Sequence, residues 1–471
     1  MKYSCFIDNK MLTVHEARVS AIPYNTVWPG RQRPLDQTEE AYFISFDMTK
    51  PTTLSINVGE TEIERVAIRP LGFKIPCKKE GNRLILTIEK PMNFTVEING
   101  YHHALHVFAN PKDDFTPDEN TLYFGPGEHN VGLLFPKANQ TVYIAEGATV
   151  YGSIYIYKQD NVTVRGRGIL DSSKFLRGDE YKIDEEPRST LKKLGVTDYD
   201  TMRASCFTAY GCKDLKVEGV IFRDAPCWTF TTRNHCENVE IDNIKIVGQW
   251  RYNSDGVDLC TTYNATLKNS FIRSFDDCIV VRAPQLDGED GESGCENIEI
   301  SNNVLWCDWG KNLELWCGKY DAYVKNITWQ DNYLIHTAQY AISIDTWYGS
   351  DRITVDNIRY ENIFIDTDTA PMYPIYQNDL DAPYAPNESG KNPTVAVYLR
   401  ATKLGRALGN QKADESSDVS SFIVKYKNIS FKNVICNNSS TLLPVELKQH
   451  NLQKFENITF SGCKLGDTII K

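Results

Sequence analysis

The sequence contains no run of about 18 apolar residues, so no membrane-spanning helix is expected. Its first ten residues, Met1 to Lys10, hold no apolar stretch of the leader type, and a cytoplasmic location without a signal peptide is the expectation. Positive charge is in deficit. Lys and Arg number 51 against 62 Asp and Glu, a formal net charge of −11. That balance argues against nucleic acid and membrane surfaces as partners. It also disfavours a polyanionic substrate, unless a local basic patch overrides the mean field. Histidines are few (8), and neither His235 nor His336 has a second ligand at metal spacing, so no metal or cofactor is expected. The 13 cysteines are an odd number without repeated Cys-x-x-Cys spacing. They fit free buried thiols in a reducing compartment better than a disulfide framework. Helical periodicity of 3.6 residues is also missing.

Short strands take its place. Residues 1–115 alternate apolar and polar at period two, as in Thr53-Leu-Ser-Ile-Asn-Val58 and Arg83-Leu-Ile-Leu-Thr-Ile88, and read as a β-sandwich. Residues 116–471 carry an internal repeat of the form Asn/Asp-apolar-polar-apolar. It occurs at Asn161-Val-Thr-Val164, Asp214-Leu-Lys-Val217, Asn238-Val-Glu-Ile241, Asn264-Ala-Thr-Leu267, Asn297-Ile-Glu-Ile300, Asn326-Ile-Thr-Trp329, Arg352-Ile-Thr-Val355, Asn428-Ile-Ser-Phe431 and Asn457-Ile-Thr-Phe460. All-β repeats of this length, with inward apolar positions, predict a parallel β-helix, because one coil alone cannot bury its apolar face. Propeller blades are too long for these steps. Residues 172–205 and 366–421 break the pattern and read as insertions.

The chemistry concentrates on two consecutive repeats. One carries Asn253-Ser-Asp-Gly-Val-Asp258, the next Phe275-Asp-Asp-Cys-Ile279. Asp255 and Asp276 are about one coil apart, which stacks their carboxylates on one edge. Crowded carboxylates do not all ionise easily, so one becomes a proton donor beside a base. That pairing is what glycosidic hydrolysis requires. Adjacent strand residues face opposite ways, so Asp276 and Asp277 share a cleft only from a turn or bulge.

These segments resemble glycoside hydrolase family 28, the polygalacturonases, in its Asn-Thr-Asp-Gly-x-Asp and Asp-Asp-Cys motifs. Arg165-Gly-Arg-Gly-Ile-Leu-Asp171 and Asp224-Ala-Pro-Cys-Trp-Thr-Phe230 are similar to further segments of that family. A sandwich ahead of the helix resembles the related family 49, the dextranases. The resemblance implies a right-handed parallel β-helix and an inverting hydrolase. It implies Asp276 as general acid, Asp255 and Asp277 as bases, and Asn253 and Asp258 as supports of the turn and contacts for substrate. Two family motifs are missing. Gly310-Lys-Asn-Leu-Glu-Leu-Trp316 stands where the family has Gly-His-Gly, and Ser343-Ile-Asp345 where it has Arg-Ile-Lys. A uronate would meet Asp345 instead of a cation pair, so a neutral α-linked saccharide is the expected substrate, with Lys311 a partial replacement for the lost histidine.

Aromatic side chains stack on sugar faces. Trp250, Trp306, Trp309, Trp316 and Trp347 flank the motifs, with Trp316 and Trp347 the first choices for the cleft and Glu314 a candidate for a hydroxyl contact. Alternatives are a uronate hydrolase, a polysaccharide lyase or epimerase on the same scaffold, and a non-catalytic carbohydrate-binding β-helix. A lyase needs a cation beside the carboxylates, and Arg273, Arg282 and Lys311 are the available ones.

Overall fold

A computed structural model describes residues 2–21, 35, 38–175, 205–283, 293–318, 322–337, 340–348, 352–366, 394–403, 423–436, 442–448, 453–465 and 468–470. The N-terminal part forms two five-stranded sheets. One runs in the order Lys10–Leu12, Ser4–Ile7, Thr52–Asn57, Arg83–Ile88 and Cys77–Glu80. The other runs His15–Ser20, Thr38–Met48, Leu105–Pro111, Met92–Ile98 and Val66–Arg69. Period-two alternation explains how the second sheet serves two cores. Phe94, Val96 and Ile98 point into the sandwich, while Phe43 and Phe108 join Ile169, Ile221, Phe271, Val304 and Trp306 of the following domain. The polar residues that alternate with Phe94 and Val96 are matched one by one. Asn93 donates to the Asn269 carbonyl (2.8 Å), Thr95 bonds His106 (2.9 Å), and Glu97 bonds both Arg69 (2.8 Å) and His336.

The rest is a right-handed parallel β-helix. One face stacks Phe207–Tyr210, Phe230–Arg233, Val257–Cys260, Ile279–Ala283, Lys311–Gly318 and Tyr340–Tyr348 in parallel register. A second face stacks Lys213–Glu218, Cys236–Asp242, Thr262–Lys268, Ser293–Ser301, Ala322–Gln330 and Arg352–Ile365. The coils share one continuous buried apolar core. Aromatic rings stack from coil to coil inside it. The run Trp329, Tyr360, Phe431 and Phe460 has centroid spacings of 5.7, 5.1 and 4.8 Å.

The asparagine of the sequence repeat has a structural cause. Asn238, Asn264, Asn297 and Asn326 bend the strand with φ between 52° and 59°, a left-handed conformation that asparagine tolerates. Each side-chain amide donates to the preceding coil. Asn238 reaches Asp214 (2.9 Å), Asn297 reaches Asn264 (3.1 Å), and Asn326 reaches Asn297 (3.1 Å). The unit read at Arg352 is displaced. Asn357, with φ 55°, continues the row by donating to Asn326 (2.7 Å). The stretch 366–421 contains the strand Thr394–Lys403, which pairs with Tyr340–Tyr348 and so belongs to the helix. The rest of that stretch, and residues 176–204 of the other insertion, lie outside the described residues.

Asn297→Ala removes two ladder hydrogen bonds and leaves a Cβ residue at positive φ. A loss of about 2 kcal/mol is expected in chemical denaturation, and Asn297→Gly should lose less because it keeps the backbone free.

Candidate active site

Asn253 to Gly256 form the turn that leads into the strand Val257–Cys260, and Phe275 to Cys278 form the equivalent turn one coil later. The Ser254 carbonyl accepts the backbone N–H groups of Phe275 (3.2 Å) and Asp276 (3.3 Å), which ties the turns together. Ser274 Oγ and Cys307 Sγ both donate to the Asp276 carbonyl, at 2.6 and 3.3 Å. Gly256 is not at positive φ. Its need for glycine is one of space, since a Cβ there would lie 2.3 Å from the Cys278 carbonyl oxygen. Asp276 and Asp277 therefore sit off the strand, on a turn, where the alternation rule no longer parts them.

Asp255, Asp258, Asp276, Asp277 and Glu314 are all nearly or fully buried, at 2%, 0%, 6%, 5% and 2% exposure. Asn253 Nδ2 donates to Asp276 Oδ2 (3.3 Å). The Lys311 backbone N–H donates to Asp277 Oδ1 (2.8 Å), and Lys311 Nζ reaches Asp277 Oδ2 and Glu314 Oε1, both at 3.2 Å. Gly310 lies against both catalytic candidates. A methyl group there would stand 2.4 Å from Asp277 Oδ1 and 2.6 Å from Asp276 Oδ1.

The neighbouring carboxyls are driven in opposite directions. Burial, then the Asp277 charge, pushes Asp276 well above the usual range, with Lys311 opposing only in part. Burial also raises Asp277, but Lys311, a hydrogen bond from Glu314, the Lys311 N–H and Arg282 outweigh it and hold Asp277 below its ordinary value. Asp255 is raised well above by burial and by Asp258, Asp276 and Asp277. Glu314 is raised well above by burial and by Asp277, so it donates to Asp277 as a neutral acid. The two neighbours are thus poised oppositely, Asp277 towards the ionised form and Asp276 towards the protonated form.

The next row of outward-facing residues runs Arg282, Trp316 and Asp345 on successive coils. Arg282 Nη2 lies 3.6 Å from Asp258 Oδ1, and its guanidinium carbon lies 5.2 Å from the Trp316 ring centroid and 4.8 Å from that of Trp228. Asp345 is buried beside Trp316. Trp347 pairs with Gly318 in the same strands; its side chain lies outside the described residues.

The remaining tryptophans separate. Trp306 is fully buried at the junction with the sandwich, against His106, His336 and Arg273. Arg273 is there too, paired with Asp308, and so leaves the set of cleft cations. Trp309 packs on Phe275 behind the Asp276–Asp277 turn, and Trp250 donates its indole N–H to Asp224 (3.0 Å). His336 is a junction residue bonded to Glu97, and His235 stacks on Tyr263. All 13 cysteines are free, and twelve are buried. Arg233 was not singled out from the sequence, and Trp228 entered only within the Asp224–Phe230 segment. Counting one coil back from Asp255 and Cys260 along the register finds both.

The parallel β-helix thus carries crowded carboxyls, driven in opposite directions, on the turns of two successive coils. The chain belongs to glycosyl hydrolases family 28, whose model matches residues 104–419. It is similar to endopolygalacturonase A of Aspergillus niger, 27% identical over 162 residues that make up 33% of this chain and 40% of that protein. It is equally similar to polygalacturonase-2 of Solanum lycopersicum, 27% identical over 163 residues, 34% of this chain and 32% of that one. The matches thus span well under half of either relative. Dex49A from Penicillium minioluteum has the same fold, with a TM-score of 0.60 at 14% identity over 99% of this chain and 89% of that one.

Gly310→Ala should lower kcat/KM by roughly 100-fold on any saccharide the parent cleaves, because its methyl displaces both carboxyls. Thermal unfolding close to that of the parent would locate the effect in the site. Unchanged kinetics would show that Gly310 does not set the carboxyl positions.

Proposed function

We propose that the protein is an inverting glycoside hydrolase of α-linked saccharides, in which Asp276 is the general acid and Asp277 the base. The observation that carries this reading is the opposite electrostatic drive on two adjacent residues of one turn. Asp276, protonated at rest, delivers its proton to the leaving glycosidic oxygen. Asp277, ionised at rest, takes a proton from water as that water attacks the anomeric carbon from the other side of the ring. Lys311 stabilises the charged base before turnover. Asp255 lies in the same cluster but is held neutral, so its part is to orient the water by hydrogen bonding. Asp258 holds Arg282, and Asn253 orients Asp276.

Where the family resemblance leads one to expect a cation pair, this chain has Ser343 and the buried Asp345. The cation nearest the base, Lys311, is held by Asp277 and Glu314. Both features support a neutral sugar at the position over Trp316 and Asp345. The relatives' names favour the other reading, a uronate throughout, and digestion of parallel panels of neutral α-glycosides and galacturonides separates the two.

Proton NMR of fresh product should show the anomer opposite to that of the substrate linkage; retained configuration would overturn the mechanism. Asp276→Asn should lower kcat by about 10²-fold or more on an unactivated saccharide, and by much less on an aryl glycoside whose leaving group needs no proton. The pH profile of kcat/KM should be bell-shaped. Its acid limb follows protonation of Asp277 and its alkaline limb follows loss of the Asp276 proton. Lys311→Met removes a charge that lowers both groups, so both limbs should move to higher pH. A shift of either limb to lower pH would contradict the assignment.

A further inference from the structure

A pocket of about 490 Å³ opens between the sandwich strand His15–Ser20 and the turns that follow Ile169–Asp171 and Ile221–Arg223 of the helix. That volume is within the range of small-molecule sites. Its two walls are tied together. Arg223 Nη1 donates to the Glu16 carbonyl (3.3 Å) and Arg223 Nε bonds Asp171 Oδ2, while the Ser173 N–H holds Asp171 Oδ1 (2.8 Å). At Gly248 a Cβ would lie 3.5 Å from the Ala17 Cβ, so strand and coil run in contact there.

The charges that line the pocket cancel. Arg223 pairs with Asp171, and Arg251 Nη1 pairs with Asp224 (2.9 Å). The exposed Glu16 and the half-buried Arg18 offset each other. His15 stacks on Phe43 (4.9 Å), and burial, then Arg223, pulls its pKa down to about 4, so it is a neutral ring that offers one donor and one acceptor. The wall thus alternates donors and acceptors without favouring either sign of ligand charge. Hydroxyl groups, which donate and accept at once, match such a wall. The pocket is also aligned with the carboxyl cluster. Asp171 and Asp224 stand two coils and one coil before the Asp255 turn, roughly 5–10 Å along the axis, on the side away from Asp345.

We propose that this pocket is a second saccharide site, which holds an uncharged sugar of the substrate chain at a distance from the cleaved bond. The segment matched to family 28 begins at residue 104, so Glu16 and Arg18, which form one wall, stand outside it. The sandwich is then part of substrate selection as well as a support for the helix. A chain that reaches both places gains affinity because its second contact is intramolecular. The inference rests on the hydrolase reading for the class of ligand, and it is tested separately from it.

The test is calorimetric binding to the full-length Asp276→Asn protein. The probes are α-linked hexasaccharides of glucose, galactose and mannose, the matching disaccharides, and hexagalacturonate. At least one neutral hexasaccharide should bind roughly tenfold more tightly than its disaccharide. Ser173→Phe, which fills the pocket, and the double variant Glu16→Ala/Arg18→Ala, which strips the sandwich wall, should each reduce that preference about fivefold. The double variant changes side chains at the surface and keeps the test decisive if the phenylalanine disturbs the fold. Absence of any length preference among the neutral probes, or a preference that the double variant leaves unchanged, would overturn the site. An equal loss with hexagalacturonate would overturn its restriction to uncharged sugars. Turnover of the same hexasaccharides is read with Asp276 intact. Pocket-dependent binding without hydrolysis would keep the site and reject the hydrolase reading, and hydrolysis with binding that the double variant leaves unchanged would do the reverse.

Discussion

Stacking of parallel coils about 4.8 Å apart is the constraint on which the rest of this structure depends. It gives each side chain its equivalent on the next coil as a neighbour, so every row must be compatible with itself. Apolar rows satisfy this by packing, as in the core, and aromatic rows by ring stacking. Asparagine rows do so because an amide both donates and accepts. A row of carboxylates cannot, and that is where the chemistry arises. Asp255 and Asp277 stand on neighbouring coils beside Asp258, Asp276 and Glu314, and among the described residues Lys311 and Arg282 offset the charge. The conflict is eased by favouring the protonated form of Asp255, Asp276 and Glu314 and the ionised form of Asp277.

The sandwich completes this arrangement from behind. Its second sheet sends Glu97 to His336, and His106 lies 3.5 Å from Arg273 Nη1. Arg273 holds Asp308, whose backbone N–H donates to the Ser274 carbonyl (3.0 Å), just ahead of the Asp276–Asp277 turn. Trp309 follows and stacks on Phe275. The turn is thus packed between coil and sandwich by groups that never reach the cleft. Burial keeps His106 well below its ordinary pKa, so it serves this junction as a neutral ring.

The repeat, the sandwich and the two aspartate motifs were legible because each expresses a local rule: period-two alternation, the left-handed tolerance of asparagine, and carboxylates one coil apart. The exact row was less legible. Arg352-Ile-Thr-Val355 has the repeat's composition but not its bend, which falls at Asn357. Arg273 lies just before the second motif and Trp306 follows it, yet their face of the coil points at the sandwich. Arg233 precedes the motifs and carries none of its own, and Trp228 stands in the Asp224–Phe230 segment without any sign there of what it packs against. Their place comes from register, which is not written in composition. The direction in which each aspartate is driven likewise depends on Lys311 and Glu314, 34 and 37 positions beyond Asp277 in sequence and adjacent to it only through the stack.

The central claim is that one turn holds two consecutive carboxyls in opposite protonation states. Carbon-13 NMR titration of the aspartate carboxyls in the resting protein, assigned with Asp276→Asn and Asp277→Asn, tests it most directly. The account predicts that Asp277 loses its proton below the ordinary aspartate range while Asp276 keeps its own well above it. Two carboxyls that titrate together in the ordinary range would contradict it.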